Sequence, residues 1–79
     1  MISSALLPLE CLRPGEWAEV CDVSGEPGWV GRLAELGIRV GTRLQMLCDG
    51  SPCMIRVDGG RLSLRGENLQ VLVRPVSDL

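Results

Sequence analysis

The stretch Arg32-Leu33-Ala34-Glu35-Leu36-Gly37-Ile38-Arg39-Val40-Gly41-Thr42 constrains the fold of this chain more than any other. It reads as the closing turns of a short helix, a glycine stop and a glycine-hinged passage into a strand. Leu33 and Leu36 lie three apart, with Trp29 and Val30 one turn back, so the helix has one apolar side. Gly37 stands just past the last periodic residue, where a left-handed backbone is needed. Gly41 interrupts the chain again before Leu44, Met46 and Cys48 begin a period-two pattern. A helix from about Gly28 to Leu36 is too short to persist alone and must be held against a small sheet.

The rest of the chain supplies that sheet. Leu9 to Glu16, with Pro14-Gly15, reads as a lead-in and turn. Trp17 to Val23 is the first strand, with Ala18 and Val20 on one face and Trp17, Glu19 and Cys21 on the other. Val23 falls out of phase, which marks a bulge or the strand's end. Ser24-Gly25-Glu26-Pro27-Gly28 is a loop, and Pro27 suits the opening turn of the helix. Thr42 to Cys48 and Cys53 to Asp58 then alternate around Asp49-Gly50-Ser51-Pro52. With Cys48 set opposite Cys53, Met46 faces Ile55 and Leu44 faces Val57. A turn at Gly59-Gly60 sets Asp58 opposite Arg61 as an outward ion pair, Val57 opposite Leu62 and Ile55 opposite Leu64. Gly66-Glu67-Asn68 reads as one turn of 3₁₀ helix. Leu69, Val71 and Val73 form a last strand that Pro75 ends. The expected architecture is mainly β: a small SH3-like, partly open barrel of about five strands with one short α-helix, in one domain over 1–79.

Composition narrows the chemistry. Of 79 residues, none is histidine, lysine, tyrosine or phenylalanine, and two are tryptophan. The core is therefore built from aliphatic, methionine and cysteine side chains. A chain this short buries only roughly 60–65% of its unfolded surface. Without histidine the commonest general base and metal ligand is absent. Without lysine there is no Schiff base and no P-loop. The chain reads as no enzyme, with no cofactor. Its eight arginines are scattered among ten acids at a net charge of −2, so no basic face for nucleic acid emerges. Met1 to Leu7 has no cationic start and no long apolar run, so it is not a signal peptide. No stretch approaches the roughly 20 apolar residues of a membrane span, and direct membrane insertion is not expected. The expected compartment is the cytoplasm, where the four cysteines are reduced thiols.

Two groups of side chains carry possible function. Cys48 and Cys53, facing each other across the hairpin, are weak metal candidates. The alternative is that both point into the core as small hydrophobes. A structural zinc site takes four ligands, and distant Cys11 and Cys21, expected at the rim, do not supply the spacing. Trp29 and Trp17 are the other candidates, because tryptophan is enriched at binding hot spots. Trp29, on the apolar side of the helix, reads as core; Trp17 is balanced between core and surface, and Met54 alternates outward.

Taken in order, these segments resemble the FeoA family. The matching residues are Leu9, Leu12, Pro14-Gly15-Glu16, Ala18 and Val20, then Arg32-Leu33, Glu35-Leu36-Gly37-Ile38 and Gly41-Thr42. The pattern continues with Ile55, Val57, Gly59, Leu62, Leu64-Arg65, Glu67, Val71 and Val73. It spans the chain from about Leu9 to Val73. Val40 stands where the family often has proline, and Gly31 where a polar or basic residue is common; the cysteines are outside the pattern. The resemblance implies a small, cytosolic, non-enzymatic SH3-like protein of bacterial ferrous-iron uptake. Its implied partner is FeoB, the membrane ferrous-iron transporter with a cytosolic GTP-binding domain. For the contact surface, the helix and its exit are expected: Trp29, Arg32, Leu33, Leu36 and Ile38, with core packing the competing role for Leu33 and Leu36.

Two rival readings stand beside this one. The same module is similar to the C-terminal domain of metal-dependent repressors; the complete lead-in after Met1 argues for a free-standing protein instead. A cysteine-based metal-binding module using Cys48 and Cys53 is the second. Transition-metal binding then rests on those thiols, since few oxygen ligands gather and tight ferrous-iron binding is not expected. Barrel edges invite self-association by strand pairing.

Overall fold

A computed structural model describes residues 6–57, 59–65 and 69–76. Six antiparallel strands form one sheet: β1 (Leu7–Pro8), β2 (Trp17–Gly25), β3 (Arg43–Cys48), β4 (Cys53–Val57), β5 (Gly60–Leu64) and β6 (Leu69–Val76), in the order β1-β6-β2-β3-β4-β5. One helix, α1 (Pro27–Glu35), crosses between β2 and β3 and sits against β2. The sheet curls around a core of Ala18, Val20, Leu44, Met46, Ile55 and Val73, each almost wholly buried. This is the expected SH3-like, partly open barrel, with one strand more than the sequence suggested. That strand, β1, pairs Leu7 with Val73 and Pro8 with Leu72. Pro8, without an N–H, is tolerated because β1 is an edge.

The lead-in contributes to the core as well as to the edge. Leu9–Cys11 is one turn of 3₁₀ helix, closed by the Leu12 N–H donating to the Leu9 carbonyl at 3.1 Å. Residues three apart eclipse in such a turn, and Leu9 and Leu12 are both buried. The Pro14-Gly15 turn follows, with the Gly15 N–H donating to the Met46 carbonyl at 2.7 Å.

The out-of-phase Val23 is explained by a bulge at Cys21. Val20 pairs with Val73 but Asp22 with Leu72, and the extra residue returns Val23 to the core side. Four expectations are corrected. First, β6 runs through Pro75, which pairs with Ala18. Since β1 reaches only Leu72 and Val73, β6 has one neighbour there and the missing N–H is tolerated. Second, the β3–β4 pairing keeps Met46 opposite Ile55 and Leu44 opposite Val57, but a bulge before Cys48 sets it opposite Met54. Cys48 is therefore exposed while Cys53 is buried. Third, β4–β5 is shifted by two residues: Val57 pairs with Gly60, Ile55 with Leu62 and Cys53 with Leu64. Gly59, in the connection between the two strands, has φ 79°. A shift of two leaves every side chain on its expected face. Arg61 consequently opposes Arg56, so the expected register with Asp58 does not form; Asp58 itself lies outside the described residues. Fourth, Trp29 is 52% exposed rather than core. The turn expected at 66–68 also lies outside the described residues.

Candidate docking groove

α1 starts at Pro27 and needs no N–H there, so proline fits the first turn. Its end is fixed by a pair of backbone bonds. The Ile38 N–H donates to the Leu33 carbonyl at 2.8 Å and the Gly37 N–H to the Ala34 carbonyl at 3.1 Å. This is a Schellman closure, with Gly37 at φ 100° and an apolar contact between the residues flanking it. Those residues, Leu33 and Ile38, are buried at 2% and 1% exposure. The exit is tied down further by Thr42, whose Oγ1 donates to the Gly37 carbonyl at 2.9 Å. The Gly41 N–H then donates to the Val20 carbonyl at 2.8 Å.

Anchored this way, α1 shows a second apolar flank. At about 100° per residue, Trp29 and Leu36 fall within about 60° of Leu33 on the same side. The sheet covers Leu33 and leaves Trp29 and Leu36 open, the latter 46% exposed. Leu62 and Leu64 of β5, Leu69 and Pro52 line the same space as that flank. The space between is an open groove of about 1160 Å³, with Arg32, Glu26, Glu35 and Arg65 among its lining residues. β5 is the last strand of the sheet and is paired on one side only.

Four of the five residues expected at a contact surface thus line one groove: Trp29, Arg32, Leu33 and Leu36. Ile38 does not; it is core, and its place in the helix closure is why. Leu62, Leu64 and Leu69 were missed, because alternation alone assigns them inward. What it cannot show is that β5 ends the sheet, so that residues packed against the core also line the groove. An edge position for β5 is the only hint, and it is a property of the assembled sheet.

Cys48 and Cys53 are not cross-strand partners, since Cys48 pairs with Met54. The bulge puts Cys48 on the exposed face, and burial pushes the Cys53 thiol above its ordinary value. Among the described residues, no three histidine, cysteine or acidic side chains come together as a metal-ligand cluster. No described helix is long and apolar enough to cross a membrane.

An open six-stranded SH3-like sheet with one α-helix among the described residues defines the class: a small, mainly β domain. The family model for the FeoA domain matches residues 7–75, and the chain belongs to the FeoA family. It is similar to an iron uptake regulatory protein, FeoA, seen in a crystal structure: 26% identity, TM-score 0.78, 91% of this chain and 99% of that chain. It is also similar to the FeoA protein of Chlorobium tepidum, known in solution: 31% identity, TM-score 0.82, 90% of this chain and 71% of that chain. A manganese-dependent transcriptional repressor shares the fold at 19% identity and TM-score 0.74, over 91% of this chain and 44% of that chain. No curated protein matches the sequence.

Proposed function

We propose that this protein is a cytoplasmic, non-enzymatic accessory module of bacterial ferrous-iron uptake, and that the groove between α1 and β5 docks on the cytosolic side of a FeoB-type transporter. The observation that carries the reading is the groove itself: a tryptophan and a leucine left open beside a leucine-lined wall, in a chain of the FeoA family. Apolar surface on a domain this small is costly unless something covers it. A partner that buries Trp29 and Leu36 in one nucleotide state more than in another shifts the transporter between those states, which is all that regulation requires. The proposal treats residues 1–79 as one working module. The supporting chemistry is the lack of histidine and lysine, which leaves this groove no imidazole base and no Schiff-base nucleophile.

The test is a binding titration of the full chain against the cytosolic GTP-binding region of the transporter from the same organism, and against the whole transporter. Each is run without nucleotide, with GDP and with a GTP analogue. Saturable binding that Trp29→Ala weakens by at least about tenfold supports the reading, since buried aromatic anchors are worth about 2 kcal/mol or more. Binding unchanged by Trp29→Ala and Leu36→Asp moves the contact elsewhere on the molecule.

A further inference from the structure

The outer face of the sheet, turned away from the core, carries a cluster that the groove does not use. Exposed Arg43 stands on β3, Arg56 on β4 and Arg61 on β5, so three consecutive strands each present a guanidinium. The register makes two of them direct neighbours: Gln45 pairs with Arg56, and Arg56 pairs with Arg61. Adjacent strands lie about 4.8 Å apart, and like charges directly opposite are unfavourable. Among the described residues, the acid that the register sets against this cluster is Glu19, opposite Arg43. Its carboxylate is already engaged by the Arg74 Nη2 at 2.7 Å, the one ion pair among the described residues. Met54, 36% exposed, lies on the same face beside Arg56.

We propose that this face is a second docking surface, for a short acidic segment of a protein partner in which apolar residues alternate with the acids. Guanidiniums on neighbouring strands match carboxylates bidentately. The net charge of −2 argues for a short ligand. A long polyanion, whether nucleic acid or an anionic lipid surface, extends beyond the patch and meets the remaining acids, whereas a short segment stays within one Debye length of about 8 Å. The surface is separate from the α1–β5 groove and does not depend on the transporter assignment.

The test uses the full chain and a fluorescein-labelled short peptide alternating glutamate with leucine. Its comparison probes are the glutamine counterpart of that peptide, oligothymidine, and phosphatidylglycerol vesicles. The expected result is salt-sensitive binding of the acidic peptide alone. It should fall about tenfold in the Arg56→Gln, Arg61→Gln double variant, which removes two of the three exposed guanidiniums. Trp29→Ala should leave it unchanged. Circular dichroism confirms that the double variant is folded, and Arg61→Lys, which keeps the charge but loses the bidentate fork, should weaken binding by less than the double variant does. Absence of peptide binding, equal binding of the glutamine peptide, indifference to the double variant, or preference for oligothymidine or vesicles overturns the proposal.

Discussion

Leu33 and Leu36 look alike in sequence, yet their surroundings separate them: one is 2% exposed and the other 46%. Leu33→Ala should cost about 2–5 kcal/mol in urea unfolding, because it leaves a cavity beneath the helix. Trp29→Ala and Leu36→Asp should each cost under about 1 kcal/mol while weakening partner binding, since neither side chain fills the core. Cys53 gives a second contrast. In the folded protein a thiol reagent should modify Cys11 and Cys48 quickly and Cys53 only as the chain unfolds. Burial raises the Cys53 thiol, so its contribution to stability is present below the ordinary thiol range and is lost as pH rises through the raised value. Urea midpoints measured on the alkaline side should fall in the wild type more than in Cys53→Ala. At this scale the sequence was informative about burial by alternation, as at Cys53, Ile55 and Val57. It misled at Cys48 and Trp29, where an inserted residue and a one-sided helix cover decide.

Elements were legible where turn chemistry is local. The helix stop at Gly37 is such a case, and the bulge at Cys21 was foreshadowed by Val23 alone. Gly37→Ala should destabilise the fold by about 1–2 kcal/mol, the strain of a side chain at φ 100°. Calorimetry checks the size of the loss. The β4–β5 register was harder, because Asp58-Gly59 and Gly59-Gly60 each make a two-residue turn, and both choices keep the apolar residues inward. Only the cross-strand partners distinguish them, and the structure chooses the one that sets Arg56 beside Arg61. β1 escaped notice for the opposite reason: two residues carry no periodicity.

In the whole molecule, β2 and β3 occupy the middle of the sheet and β5 one edge. Amide exchange should therefore be slower in β2 and β3 than in β5, unless the groove is occupied, when β5 should gain protection. Closure of the sheet is the property least visible in sequence, since it depends on which strand has no neighbour rather than on any residue pattern. One more consequence follows from a core with no aromatic side chain. Both indoles sit outside it, Trp29 open and Trp17 half-buried. Ultraviolet emission from this protein is then a gauge of what lies on its surface rather than of its folding. Denaturation should shift the emission little, whereas filling the groove should move it to the blue, giving the molecule a built-in optical signal for its own company.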